Sequence, residues 1–90
     1  MSLTVAIQMD PIDSIDIDGD STFVLALEAQ RRGHRLLHYL PQDLALDDGR
    51  VVARARGLTV RREKDNHFTL EAPQDIDLAD ADIVLMRQDP

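Results

Sequence analysis

The sequence contains no cysteine and no tryptophan, and basic residues are few. A chain without cysteine has no disulfide and no thiolate chemistry, which is compatible with a reducing cytoplasm. Its aromatic residues are Phe23, Tyr39 and Phe68, so the core must be mainly aliphatic and a large aromatic ligand cage is not expected. The 17 acidic residues outnumber the 10 basic ones. This balance argues against a nucleic-acid partner, because binding to phosphate backbones depends on clustered Lys and Arg.

Long apolar segments are also missing. No stretch approaches the roughly 20 apolar residues that a membrane helix needs, and the N-terminus has no basic region of the kind that opens a signal peptide. We therefore expect no membrane partner. The 90 residues are enough for one small domain.

The first half of the sequence predicts a β-α-β unit. The apolar, β-branched run "LTVAI" (residues 3–7) is typical of a strand that is buried on both faces in a parallel sheet. A helix is predicted from Ser21 to Arg32, with Asp20 or Ser21 as its N-cap and Gly33 as the residue that closes it. "RLLHYL" (residues 35–40) is the next strand, and the crossover between the two strands should be right-handed.

The middle of the sequence indicates antiparallel structure. Asp48-Gly49 is a hairpin turn signal. Val52, Arg54 and Arg56 then alternate with Val51, Ala53 and Ala55, a period of two that is typical of a half-exposed strand. A second turn at residues 64–66 leads to a short strand at 67–70. We expect this hairpin at the edge of the sheet or on its surface.

The last apolar segment, "IVLM" (residues 83–86), predicts another buried parallel strand. It follows a linker that begins at Pro73 and a short helical turn at residues 77–82. A doubly wound sheet would place a covering helix after such a strand. We therefore expect a truncated, Rossmann-like α/β domain with a mainly parallel sheet, which is the front piece of a longer protein.

Polar residues follow the first and last of these strands. Asp10 ends strand one, Arg87 and Asp89 follow the last strand, and the loop to Ser21 begins at the same edge. Open α/β sheets bind ligands beyond the carboxyl ends of their strands. If the two strands are neighbours, these groups converge on a crevice that suits an amino-acid head group, with arginine on the carboxylate and aspartate on the ammonium. The alternative is that Asp10 and Arg87 simply form an ion pair with each other.

The aspartate-rich loop "DSIDIDGDST" (residues 13–22) does not predict a metal site. With Gly19 at the glycine position of an EF-hand loop, Leu25 stands where the bidentate glutamate is required. A single glycine also cannot form either of the glycine-rich nucleotide-binding fingerprints. His34, His38 and His67 show no ligand spacing, so we interpret them as surface or packing residues.

Three segments together resemble the N-terminus of bacterial glutathione synthetases. They are "QMDPIDSIDIDGDSTFVLALEAQRRGH" (8–34), "DGRVVARARGLTVRR" (48–62) and "LADADIVLMRQDP" (78–90), and the similarity extends over essentially the whole chain. The resemblance implies the domain that precedes the ATP-grasp domain: residues 1–90 would form this Rossmann-like, three-layer pre-ATP-grasp domain, and the ATP-grasp domain would follow Pro90.

The resemblance also implies a function. Members of this family join γ-glutamylcysteine to glycine with ATP and magnesium, through an acyl phosphate, and they are cytoplasmic and typically homotetrameric. ATP and Mg²⁺ would be bound by the later domains, so residues 1–90 alone should be inactive. The motif positions that we expect to contact the peptide substrate or another domain are Asp10, Ser14, Asp20, Ser21, Arg87 and Asp89. The alternative is a non-catalytic interaction or oligomerisation module whose exposed strand edge pairs with another subunit.

Overall fold

A computed structural model of the chain describes residues 2–87. It contains one α-helix, seven strands and three short 3-10 turns within that range. The strands, numbered in chain order, are β1 (Thr4–Gln8), β2 (Arg35–Tyr39), β3 (Leu44–Asp47), β4 (Arg50–Val60), β5 (Phe68–Leu70), β6 (Gln74–Asp77) and β7 (Ile83–Met86). The helix α1 is Ser21–Arg31, and the 3-10 turns are Ile12–Ser14, Pro41–Asp43 and Leu78–Asp80. No helix among these residues is long and apolar enough to cross a bilayer.

The predicted β1-α1-β2 unit is confirmed. β1 and β2 are parallel neighbours, with Ala6 opposite Leu37. Val5, Ala6 and Ile7 are all buried, so β1 is covered on both faces as its composition indicates.

Both ends of α1 are fixed by local hydrogen bonds. Asp20 is the N-cap, and its Oδ1 accepts a hydrogen bond of 2.9 Å from the amide of Phe23. Gly33 has φ +83°, the left-handed conformation that closes a helix, and its amide donates to the carbonyl of Gln30. The amide of His34 donates to the carbonyl of Ala29, which completes a Schellman motif.

The balance of parallel and antiparallel pairing differs from the prediction. The strand order is β3-β4-β2-β1-β7, with β5 and β6 also paired to β4. Only the pairs β1–β2 and β1–β7 are parallel among the described strands, whereas all four pairings of β4 are antiparallel. The fold is α/β with a mixed, largely antiparallel sheet, so the expectation of a mainly parallel sheet is wrong.

β4 is the reason for this difference, because it is the centre of the sheet and not an inserted edge hairpin. Its first half lies between β3 and β6, where Ala53 is paired with both Leu44 and Ile76. Its second half lies between β2 and β5, where Leu58 is paired with both Leu36 and Leu70. One long strand thus holds four partners, two on each side, and the sheet curls around it.

Two further expectations about the second half are corrected. The segment after Pro73 is not a linker, since Gln74–Asp77 forms β6 against β4. β7 is parallel to β1 as predicted, but it is not buried: Ile83, Val84 and Met86 are 40%, 39% and 65% exposed. β7 lies at the end of the strand order, so it has a neighbour on one side only among the described strands.

The predicted hairpin turn at Asp48-Gly49 is confirmed. Asp48 and Gly49 have φ +52° and +81° and connect β3 to β4 as a two-residue hairpin.

The core consists of two apolar layers on opposite faces of the sheet. On one face, Phe23 and Ala26 of α1 pack against Ile7, Leu36 and other strand residues. The second layer has no helix. It is built from Ala6, Leu37, Tyr39, Ala53 and Ala55 and is covered by partly buried Leu44, Ile76, Leu78 and Ala81.

Candidate functional site

Three parallel strands end at the same edge of the sheet and carry the predicted polar residues there. β1 lies between β2 and β7, with Gln8 opposite both Tyr39 and Met86. Asp10 follows β1 by two residues and Arg87 follows β7 directly. The amide of Arg87 donates a hydrogen bond of 2.7 Å to the carbonyl of Gln8, which extends the ladder to this point. The predicted neighbourhood of the first and last strands is therefore confirmed.

The guanidinium of Arg87 is held at the N-terminus of α1. Its Nη2 donates to Ser21 Oγ at 2.8 Å, and its Nε donates to Thr22 Oγ1 at 3.3 Å. The Arg87 side chain is exposed. A helix N-terminus carries partial positive charge, so a cation placed there adds to the positive potential. The two features together favour an anionic group at this edge.

The aspartate-rich loop has a structural role in this arrangement. Asp16 Oδ1 accepts a hydrogen bond from the amide of Asp18, and the carbonyl of Asp16 accepts from the amides of Gly19 and Asp20. Asp20 then caps α1 by accepting the amide of Phe23. The aspartates of this loop therefore hold the loop and the first turn of α1 in place by hydrogen bonds.

In the structure, some of the six predicted residues contact one another, and others form hydrogen bonds within their own turn or helix end. Ser21 and Arg87 are hydrogen-bonded to each other. Ser14 Oγ donates to the carbonyl of Pro11 at 2.7 Å, within its own 3-10 turn. Asp10 is half-buried at the end of β1, and Asp89 lies outside the described residues.

Sequence reasoning missed Thr22, whose hydroxyl accepts a hydrogen bond from Arg87. Thr22 is buried, although it follows the first residue of the helix. The signal was available in part, since a hydroxyl residue next to Ser21 in the first turn also lies at the helix N-terminus.

Two titratable side chains lie beneath this edge, on opposite faces of β2. His38 is 5% exposed, and burial lowers its pKa from the ordinary 6.5. Its Nε2 lies 3.4 Å from the carbonyl oxygen of Asp10. Tyr39 is 1% exposed, burial raises its pKa, and its hydroxyl has no hydrogen-bond partner within residues 2–87. The interpretation of His38 as a packing residue agrees with this burial.

His67 is also a buried packing residue. Its Nε2 lies 2.7 Å from the carbonyl oxygen of Ile12, so Nε2–H donates there and ties the β4–β5 connection to the turn after β1. The ring packs edge-on against Phe23 and Phe68, at centroid distances of 5.8 and 4.8 Å.

Comparison with known proteins identifies the family. The family model described as the prokaryotic glutathione synthetase N-terminal domain matches residues 3–90. The chain belongs to this family.

Its relatives include proteins named glutathione synthetase from several bacteria. The chain is 51% identical to the proteins from Mesorhizobium japonicum and Brucella melitensis and 53% identical to that from Bradyrhizobium diazoefficiens. Each match covers 100% of this chain and 29% of the relative. The chain therefore spans less than a third of the length of these relatives, at a level of identity that carries the fold of this domain across the family.

Proposed function

We propose that residues 1–90 form the N-terminal domain of an ATP-dependent ligase that joins γ-glutamylcysteine and glycine to form glutathione. The observation that carries this proposal is the match of residues 3–90 to the glutathione synthetase N-terminal family. The relatives that share about half of its residues carry the same name.

The proposed reaction has two covalent steps. A carboxylate oxygen of the dipeptide's cysteine residue attacks the γ-phosphorus of ATP, and ADP leaves, which gives an acyl phosphate. The glycine amine then attacks the acyl carbon, loses a proton and expels inorganic phosphate. The described residues include no group of three or more His, Cys, Asp or Glu side chains placed to hold a metal. In this proposal ATP and Mg²⁺ are bound by an ATP-grasp domain after Pro90, as the family resemblance implies, and we expect residues 1–90 alone to release no ADP.

The task of this domain in the reaction would be to hold the peptide substrate. The proposed contact residues are Asp10, Ser14, Asp20, Ser21, Arg87 and Asp89. The position of Arg87 at the N-terminus of α1 supports a carboxylate clamp, because the guanidinium and the helix end attract the same anion. Asp10, at the end of the neighbouring strand, would meet the ammonium of the same substrate. Asp20 and Ser14 would act mainly by holding the loop and the helix in place.

The finer fold assignment is part of this proposal. We propose that the domain becomes a three-layer, Rossmann-like unit in the full-length protein, when chain after Pro90 covers β7. The exposure of Ile83, Val84 and Met86 supports this, because apolar side chains gain stability when they are removed from water. We also propose that the full-length protein is cytoplasmic and forms a homo-oligomer, as a tetramer.

The substitution Arg87→Ala in the full-length protein tests the clamp. A hydrogen bond to a charged group contributes about 1.5–3 kcal/mol, so the KM for γ-glutamylcysteine should rise by about tenfold or more. The KM for ATP should change little. Arg87→Lys keeps the charge but loses the two-point geometry, so its effect on KM should be intermediate.

Arg35→Ala is the matched control, because Arg35 is an exposed arginine at the opposite end of the same parallel strands. It should leave all kinetic constants unchanged. If Arg87→Ala lowers the melting temperature but leaves the dipeptide KM at its wild-type value, Arg87 is a structural link to α1 and the clamp is wrong.

A further inference from the structure

A second concave site lies on the helix-bearing face of the sheet, and no residue of α1 lines it. It is a pocket of about 350 Å³ between the Ile12–Ser14 turn, the Pro41–Asp43 turn and strands β4 and β5. It shares no lining residue with the contacts of Arg87. Pockets of this size are in the range that binds small molecules.

The apolar part of this pocket comes from three separate segments. Ile12 lies in the turn after β1, Leu40 precedes the second turn, and Phe68 and Leu70 belong to β5. Because these residues are brought together only by the pairing of β4 with β2 and β5, no sequence pattern predicts the surface. This apolar surface can bury the apolar part of a ligand and so remove it from water.

The cationic part comes from two arginines on one face of β4. Arg56 is opposite His38 in the sheet, and Arg54 lies two residues before it, so both project to the pocket side. The Nε of Arg56 donates to the carbonyl of Glu71 at 2.6 Å, which orients its guanidinium. Arg54 is paired with Asp75 at 3.5 Å, but these side chains are 60% and 69% exposed. An exposed pair at this distance binds weakly, so a ligand carboxylate can compete for Arg54.

The anionic part faces the arginines from the two turns. Asp13 is exposed in the first turn, and Asp43 in the second turn accepts a hydrogen bond from the amide of Leu40 at 2.9 Å. All four charged residues line the pocket together with the buried His38. Burial lowers the pKa of His38, and the charge of Arg56 lowers it further, whereas the charges of Asp43 and Asp13 oppose this shift.

We propose that this pocket binds a small zwitterion with one carboxylate, one ammonium and a short apolar body, which is the chemistry of an apolar free α-amino acid. The carboxylate would lie on Arg54 and Arg56, the ammonium on Asp13 and Asp43, and the side chain on the apolar wall. Two cations and two anions disfavour a ligand with a single charge, because either sign meets repulsion from half of the site. This site does not depend on the proposed ligase activity.

Ligand-observed NMR on the full-length protein tests the proposal with three probes of matched shape. Leucine carries both charges, 4-methylpentanoate carries only the carboxylate, and 3-methylbutylamine carries only the ammonium. Saturation-transfer signals should be saturable for leucine, with an affinity about tenfold or more above that of either single-charge probe.

Matched variants locate the binding. Arg54→Gln and Arg50→Gln each remove an exposed arginine that forms an ion pair between β4 and β6, but only Arg54 lines the pocket. Arg54→Gln should weaken leucine binding by about tenfold, whereas Arg50→Gln should change it by less than about twofold. Asp13→Asn should weaken leucine but not 4-methylpentanoate, whose carboxylate loses a repulsive neighbour, with Asp18→Asn as the control in the same loop.

The proposal is overturned if leucine gives no saturable signal, or if 4-methylpentanoate binds as tightly as leucine. It is also overturned if leucine binding is the same in Arg54→Gln as in Arg50→Gln, since binding would then lie elsewhere. The circular dichroism spectra of the variants must match that of the parent protein. Ligase activity has no part in these measurements, so a failure here leaves the assignment of the Arg87 edge untouched.

Discussion

Gln30 joins α1 to the central strand by two hydrogen bonds, and their removal should destabilise the chain measurably. Its Nε2 donates to the carbonyl of Val60 at 2.8 Å, and its Oε1 accepts from the amide of Val60, also at 2.8 Å. One side-chain amide thus satisfies both backbone groups of a residue at the end of β4. Val60 is 1% exposed, so water cannot readily replace the lost partners.

The expected cost follows from these two bonds. A hydrogen bond contributes about 0.5–1.5 kcal/mol net, and a buried group left without a partner costs about 1–3 kcal/mol. In Gln30→Met the side chain keeps its length, so packing changes little and the bonds account for most of the effect. We expect a loss of about 2–4 kcal/mol from the free energy of unfolding, which is a large share of the roughly 5–13 kcal/mol expected for 90 residues.

Urea unfolding followed by circular dichroism measures this loss. With a slope near 1–1.5 kcal/mol per molar urea, the midpoint should fall by about 2 M. Gln30→Glu keeps an acceptor for the amide of Val60 but cannot donate to its carbonyl. Its urea midpoint should therefore lie between those of the parent protein and Gln30→Met. Gln42→Met changes an exposed glutamine and is the control. A Gln30→Met midpoint within about 0.3 M of the parent protein would refute the assigned role of the two bonds.

Two further predictions concern pH and the helix cap. Burial lowers the pKa of His38 below the 6.5 of the unfolded chain, so the unfolded state binds more protons and stability falls as pH drops below about 6.5. Urea midpoints between pH 5 and 8 should show this slope, and His38→Gln should flatten it; an unchanged slope would contradict the assignment. Asp20→Ala removes the acceptor for the amide of Phe23 and should cost about 1 kcal/mol, whereas Asp18→Ala in the same loop should cost much less. Equal thermal shifts in these two variants would contradict the cap.

Features that depend on local chemistry were predictable from the sequence. An aspartate before an apolar-periodic segment and a glycine after it mark the ends of α1, and both Asp20 and Gly33 take these roles. The Asp48-Gly49 turn is equally local, because its two positive φ angles suit only a few residue types.

The partners of β4 were not predictable, because pairing between distant segments is not encoded in a local pattern. The alternation in Arg50–Val60 predicts a strand correctly but does not say which strands lie beside it. β6 was missed since Gln74–Asp77 contains a single apolar residue, Ile76, and follows a proline. It forms because β4 offers unpaired backbone groups on that side, and these pair regardless of side-chain type.

The burial of β7 was predicted wrongly for a different reason. An apolar composition indicates that a segment is buried in the final protein, but it does not indicate which part of the chain covers it. β7 pairs with β1 in the predicted direction, yet its outer side chains remain exposed within the described residues. Composition therefore predicted the strand and its neighbour, but not its exposure within residues 2–87.

In the candidate site, too, contacts between sequence neighbours were predictable, whereas side-chain contacts between distant residues were not. Asp20 and Ser21 stand side by side in the sequence, but Asp20 serves the helix and Ser21 faces Arg87, which is 66 residues away. The carboxylate of Asp20 accepts the amide of Phe23 at the N-terminus of α1, where the helix dipole favours a negative charge. Removing Asp20 would thus weaken the first turn of α1, which carries the two hydroxyl groups that bind Arg87.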